Sequence, residues 1–103
     1  MLDKEQVRKI ARSYADKVRR FYNPRQVIIF GSYIDGSAHE DSDIDIAVVF
    51  DGIEGNFLEM WGSLVGLREG ISYDIEAHLL DQTMDNCGFL RHIQKTGEVL
   101  YQA

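Results

Sequence analysis

The sequence lacks the features that mark secreted and membrane-spanning proteins. The amino terminus has no apolar segment like that of a signal peptide, and no apolar run approaches the ~20 residues that cross a bilayer. The one cysteine, Cys87, cannot form an internal disulfide, and no histidine lies near it at the spacing of a zinc site. We interpret Cys87 as a small buried hydrophobic residue. These absences predict a cytoplasmic protein that does not bind a membrane.

Basic charge is also scarce. The chain has 11 lysines and arginines against 17 acidic residues, which gives a formal net charge of −6. Proteins that bind the phosphate backbone of nucleic acids usually present a basic face. The composition therefore argues against DNA or RNA as the partner, and it favours either a cation site or a basic protein partner.

The composition otherwise suits a single folded domain over residues 1–103, with 45% hydrophobic residues. Hydrophobic periodicity predicts helices and strands in alternation. Helices are expected at 4–21, 56–68 and 86–95, and strands at 26–30, 43–50, 71–80 and 98–101. This order predicts a two-layer α/β fold, with a mixed sheet of three or four strands and helices packed against one face.

The segment with the clearest chemical meaning is Gly31-Ser32, followed ten residues later by Asp43-Ile44-Asp45. Gly31 lets the backbone approach a ligand closely, and the amides after Ser32 can bind phosphate oxygens. Asp43 and Asp45 share one face of a strand, where two carboxylates repel unless a cation lies between them. Magnesium prefers such oxygens, and two ions can clamp a phosphoryl transfer. We predict Asp43 and Asp45 as metal ligands; a solvated acidic strand edge is the simpler alternative.

A third carboxylate is expected from the strand predicted at 71–80. Its alternation places Asp74, Glu76 and His78 on one face, so either acid could complete a metal site and accept a proton. We interpret His78 as a surface or partner-contacting residue. The apolar residues Phe57, Trp61 and Leu64 recur at helical spacing and are expected in the core or an interface.

These motifs together resemble the minimal nucleotidyltransferases of the polymerase-beta superfamily. The resemblance rests on Gly31-Ser32, on Ser42-Asp43-Ile44-Asp45 and on a later strand aspartate, and it extends over nearly the whole chain. It favours Asp74 over Glu76 as the third carboxylate. Many members of the group are antitoxins encoded beside a HEPN-type toxin.

The resemblance implies an enzyme that uses two Mg²⁺ ions and ATP, or another nucleoside triphosphate, as substrate. Gly31 and Ser32 would bind the triphosphate, while Asp43, Asp45 and Asp74 would be the catalytic residues and the metal ligands. The implied reaction transfers AMP to a hydroxyl of a protein partner, a tyrosine of the toxin, in a hetero-oligomer.

One departure favours a second hypothesis. Relatives often have a basic residue shortly after the serine, whereas this chain has Tyr33-Ile34-Asp35-Gly36. An acid there weakens the expected grip on a triphosphate. The alternative is a catalytically weak binding module with the same fold, which neutralises a basic partner by contact alone.

Overall fold

A computed structural model of the chain describes residues 2–85 and 87–103. The first helix, α1, spans Lys4–Phe21 and begins at a capping box. In that box the Gln6 amide donates to Asp3 Oδ1 (2.8 Å), and the Asp3 amide donates to Gln6 Oε1 (3.0 Å). The helix ends before Tyr22, whose backbone is extended. The predicted bounds of this helix are confirmed.

Four strands form one mixed sheet. They are β1 (Gln26–Phe30), β2 (Ile44–Phe50), β3 (Ile75–Asp81) and β4 (Glu98–Gln102), in the spatial order β3-β2-β1-β4. β1 pairs antiparallel with β2 and β4, whereas β2 and β3 run parallel. The predicted mixed sheet of three or four strands is confirmed, and it has four.

The other helices are shorter than α1. They are α2 (Ser32–Asp35), α3 (Phe57–Gly66) and α4 (Phe89–Thr96), with a 3-10 turn at Gln82–Met84. Asn56 caps α3 by accepting the Glu59 amide at 3.0 Å. Asn86, where the sequence predicts the start of the last helix, lies outside the described residues.

The strand predicted over 71–80 begins later, at Ile75. The alternating residues before it have no strand to pair with, because β2 begins at Ile44 and Ile44 lies opposite Ile75. Turn hydrogen bonds take their place, such as that from the Ile71 amide to the Arg68 carbonyl (3.0 Å). Alternation alone therefore overestimates the strand.

One face of the sheet packs against α1, α2 and α3. The residues fully or almost fully buried there include the alternate positions of three strands, namely Val27, Ile29, Ile44, Ile46, Val48, Ile75, Ala77 and Leu79, together with Tyr14, Val18 and Leu64 of the helices. Tyr14 donates its hydroxyl hydrogen to the Leu64 carbonyl and so joins α1 to α3. The predicted parity of β2 is confirmed.

The helices do not all lie on that face. Leu90 and Ile93 of α4 pack on Ile28, Ala47 and Val49, which point to the other side of the sheet. The expectation that helices cover one face holds for α1 to α3 and is wrong for α4. Three apolar side chains of the sheet point to that side, and the apolar stripe of α4 buries them.

The structure also bears on the exposure of Cys87 and on the apolar character of the helices. Cys87 is exposed in the turn before α4, so its interpretation as a buried residue is wrong. Across the described residues, no helix is long and apolar enough to cross a membrane.

Candidate active site

Gly31 follows β1 and lies directly against Asp45. Its φ of +85° is in the region that favours glycine, and it starts the turn into α2 by accepting the Ile34 and Asp35 amides at 3.0 Å each. A Cβ on Gly31 would lie 2.3 Å from Asp45 Oδ2. Position 31 therefore favours glycine for two reasons: its φ is positive, and a side chain there would collide with the Asp45 carboxylate.

Ser32 is the first residue of α2, and buried Tyr33 anchors this short helix in the core. Asp35, the acid in the loop that follows Ser32, caps the next turn. Its Oδ1 accepts the Ser37 amide (2.9 Å) and the Ser37 hydroxyl (2.5 Å). These hydrogen bonds lower the pKa of Asp35 below its ordinary value. The acid thus has a local structural role that the sequence pattern did not reveal.

The parallel pairing of β2 and β3 brings three polar side chains together. Asp45 lies opposite Glu76, and Ala47 lies opposite His78. His78 Nε2 is 3.1 Å from Asp45 Oδ1. One potential ligand atom from each of Asp45, Glu76 and His78 lies within 4.8 Å of the others. This is the only such three-residue group found among the described residues.

The electrostatics of Glu76 reflect this crowding. Desolvation is the main cause that raises its pKa, with smaller contributions from the negative charges of Asp45 and Asp43, while His78 opposes the rise. Asp43 is exposed and immediately precedes β2, so it contributes charge to the same region. A divalent cation at this place would relieve the repulsion that raises the Glu76 pKa.

Asp74 occupies a different position from the one predicted. It is exposed and precedes β3, where its backbone carbonyl accepts the Ile44 amide at 2.8 Å. Its carboxylate is not part of the group formed by Asp45, Glu76 and His78. The structure therefore brings Glu76 beside Asp45, whereas Asp74 lies two residues earlier in the chain. His78 also belongs to the group, and its alternation with Glu76 was the signal in the sequence.

An aromatic surface continues from this group towards α4. The Phe30 ring packs edge-on against His78 (5.0 Å between centroids) and against Phe89 (5.8 Å). Phe89 also lines a largely apolar cavity of about 430 Å³ beside the end of β3. Phe57 of α3 lines the same cavity, so it lies at the surface, as does Trp61 with 43% exposure.

The donor set fits magnesium. Asp45 and Glu76 supply carboxylate oxygens, and the bare backbone of Gly31 leaves room for the Asp45 side chain. A hard cation with bound phosphates is the ligand that such oxygens beside a glycine turn bind best.

Comparison with known proteins defines the class. The family model for polymerase beta nucleotidyltransferases matches residues 5–103. The chain therefore belongs to this family, and it is an enzyme of the nucleotidyltransferase class.

Two curated proteins are similar to this chain in sequence. The chain is 37% identical over 73 residues to the protein adenylyltransferase MntA of Thermococcus cleftensis, which covers 66% of this chain and 74% of that protein. It is 30% identical over 97 residues to a candidate protein adenylyltransferase of Methanocaldococcus jannaschii, covering 90% and 96% of the two chains.

Solved structures agree on the fold. A candidate nucleotidyltransferase from Sulfolobus solfataricus superposes with a TM-score of 0.69 at 25% identity, over 95% of this chain and 82% of that one. A toxin-antitoxin structure with AMP-PNP superposes with a TM-score of 0.63 at 23% identity, over 89% and 73%. The second likeness concerns the fold alone.

Proposed function

We propose that this protein transfers AMP from ATP, with magnesium, to a hydroxyl of a protein partner. The observation that carries the proposal is the parallel register that puts Glu76 beside Asp45, directly next to Gly31. The names of the two curated relatives, a protein adenylyltransferase and a candidate protein adenylyltransferase, support the choice of AMP and of a protein acceptor.

Asp43, Asp45 and Glu76 are the proposed metal ligands. When bound, magnesium would neutralise the triphosphate and polarise the phosphorus that is attacked. We prefer Glu76 to Asp74 because only the Glu76 carboxylate belongs to the group around Asp45. The exposed Asp74, two residues before Glu76, is the alternative that a pair of variants tests below.

The residues around these ligands take the remaining roles. The Gly31 and Ser32 backbone would bind the triphosphate oxygens, because the turn into α2 starts there next to Asp45. Glu76 would accept the proton of the acceptor hydroxyl at a carboxylate oxygen, because its carboxylate lies beside Asp45, where the triphosphate and its magnesium would bind. The hydroxyl oxygen then bonds to the α-phosphorus, and pyrophosphate leaves.

The exposed apolar surface of α3 also supports a protein as the acceptor. Helix α3 exposes the apolar side chains of Phe57 (47%), Leu58 (71%) and Trp61 (43%), and Phe57 also lines the cavity at Phe89. Exposed apolar patches of this kind mark protein interfaces. We propose a toxin of the HEPN type as the partner, with a tyrosine as the acceptor.

A contact-only antitoxin is the second candidate. The net charge of −6 and the exposed apolar surface of α3 both favour binding to a basic partner without any chemistry. Contact alone gives no reason to crowd Asp45, Glu76 and Asp43 together, because their repulsion costs free energy in the absence of a cation.

The two candidates separate in one experiment. The chain is coexpressed with the product of the adjacent gene, as wild type and as Asp45→Asn. Mass spectrometry then looks for an AMP adduct on a tyrosine of the partner, and growth reports neutralisation. We expect the adduct and the neutralisation with wild type and neither with Asp45→Asn. Neutralisation by Asp45→Asn without an adduct would establish the contact-only candidate.

A further inference from the structure

His78 is the member of the site that the proposed reaction does not use. Its Nε2 lies 3.1 Å from Asp45 Oδ1, and it shares with Asp45 and Glu76 the group whose ligand atoms are all within 4.8 Å of one another. A magnesium site needs only oxygens. The proposed magnesium site therefore does not account for the position of His78 Nε2 beside the two carboxylates.

The spacing suits two ligands of one cation. Ligand atoms about 2.1 Å from a metal, on adjacent octahedral positions, are about 3.0 Å apart. The distance from Nε2 to Oδ1 is 3.1 Å, which is also that of a hydrogen bond. The same side-chain positions can thus hold a proton between the two atoms or a metal ion bound to both.

The surroundings hold both side chains in these positions. Phe30 packs edge-on against the His78 ring at 5.0 Å. Gly31 contacts the other oxygen of Asp45, where a Cβ would come within 2.3 Å of Oδ2. Because Phe30 and Gly31 are consecutive, the end of β1 supports the histidine and the carboxylate together. Supported ligands lose less conformational freedom when they bind a metal.

We propose that His78 is a metal ligand and that Asp45, Glu76 and His78 bind a divalent first-row transition cation, such as Mn²⁺, more tightly than Mg²⁺. Imidazole nitrogen suits transition cations, whereas magnesium strongly prefers oxygen. The inference rests on the proposed function for Asp45 and Glu76 as ligands. It makes no use of nucleotide transfer.

The test measures metal binding to the full chain without nucleotide. Pulsed EPR of bound Mn²⁺ detects a directly bonded imidazole through its ¹⁴N coupling, and competition gives the Kd values for Mn²⁺ and Mg²⁺. The variant is His78→Gln. The matched control is His92→Gln, because His92 lies exposed on α4. If His78→Gln fails to fold, labelling wild-type histidines with ¹⁵N shows that the coupled nitrogen belongs to a histidine, and a coupling that persists in both His39→Gln and His92→Gln assigns it to His78.

We expect the ¹⁴N coupling in wild type and in His92→Gln, its loss in His78→Gln, and its replacement by a ¹⁵N coupling in the labelled protein. The Kd for Mn²⁺ should rise about 10- to 100-fold in His78→Gln, and the Kd for Mg²⁺ less than about 3-fold. Bound Mn²⁺ without a histidine coupling would overturn the proposal, as would equal weakening of both cations or no detectable Mn²⁺ binding.

Failure here and failure of the proposed function give different results. A chain that binds Mn²⁺ through His78 but forms no adduct on any partner refutes the transferase reaction and leaves the metal site standing. A chain that forms the adduct with magnesium but shows no histidine coupling refutes only the role of His78.

Discussion

The two faces of the sheet differ in what their side chains do. On the face covered by α1 to α3, Ile44, Ile46 and Val48 of β2 are completely buried. On the other face, Asp45 of the same strand is partly exposed and meets Glu76 and His78. Because alternate residues of one strand serve the core and the site, changes on one face can be made while the other is kept. The following variants test this separation.

The largest expected effect on activity comes from a change at Asp45, on the face of the sheet that carries the site. Asp45→Asn should lower nucleotide transfer by at least about 10³-fold, because a lost metal ligand removes several kcal/mol of transition-state stabilisation. The melting temperature without metal should stay the same or rise, since one charge leaves a repulsive group. Calorimetry and an adduct assay measure the two effects. Unfolding of this variant, or transfer at the wild-type rate, would show that the two faces are not separable.

The second variant changes the core on the face that packs against α1 to α3. Leu64→Ala should destabilise the protein by about 2–5 kcal/mol, because Leu64 is fully buried and its loss leaves a cavity between α3 and the sheet. The fraction that remains folded should keep its activity. Urea unfolding and activity per folded molecule test this. A variant as stable as wild type would mean that α3 contributes little to the core.

A pair of variants separates Glu76 from Asp74. Glu76→Gln should cost about 10²-fold in transfer, the usual scale for a proton-transfer group. Asp74→Asn should cost less than about 5-fold, because the Asp74 carboxylate lies outside the group around Asp45. The rates are compared at saturating ATP and magnesium. The opposite ranking would restore Asp74 as the third carboxylate, as the sequence resemblance implied.

Two glycines with similar positive φ values provide a comparison. Gly31→Ala and Gly52→Ala both replace a glycine with positive φ, at +85° and +89°. Each should lose about 1–3 kcal/mol of stability, because alanine is strained at a positive φ. Only at Gly31 would the Cβ meet Asp45, since at Gly52 it meets no described atom within 4 Å. Gly31→Ala should therefore also lose at least about 10-fold in transfer. Equal activities would indicate that contact with Gly31 does not position Asp45.

The smallest expected effect is at Tyr14. Tyr14→Phe should cost about 1–2 kcal/mol, because the buried Leu64 carbonyl loses its donor. Desolvation raises the pKa of Tyr14, so the folded protein keeps this phenol protonated while the unfolded chain ionises it near pH 10. Wild-type stability should therefore fall as the pH rises above about 10, and Tyr14→Phe should lack this component. Unfolding at pH 8 and pH 10.5 measures the difference.

Several elements of the fold were predictable from local signals. The capping box at Asp3 and Gln6 located the start of α1, and the apolar alternation of β2 indicated which side chains enter the core. The spacing from Gly31-Ser32 to Asp43 and Asp45 indicated the class, which the family comparison confirms. The cytoplasmic location and the number of metal ions stay predictions.

Other features required contacts between distant segments. The side of the sheet that α4 covers depends on which strand faces remain free, and the sequence of α4 reports only its own apolar stripe. Asp35 likewise looked unfavourable for a phosphate loop until its hydrogen bonds to Ser37 gave it a structural role.

The sequence by itself determined that Asp45, Glu76 and His78 would each point away from the core, because strand alternation has a period of two residues. Only the tertiary structure decided that Glu76, and not Asp74, lies opposite Asp45. Alternation assigns a residue to a face but carries no information on its position along the neighbouring strand. That register is set by the packing of the apolar residues of β2 and β3 in the core, and it also brings the nitrogen of His78 to the carboxylate of Asp45.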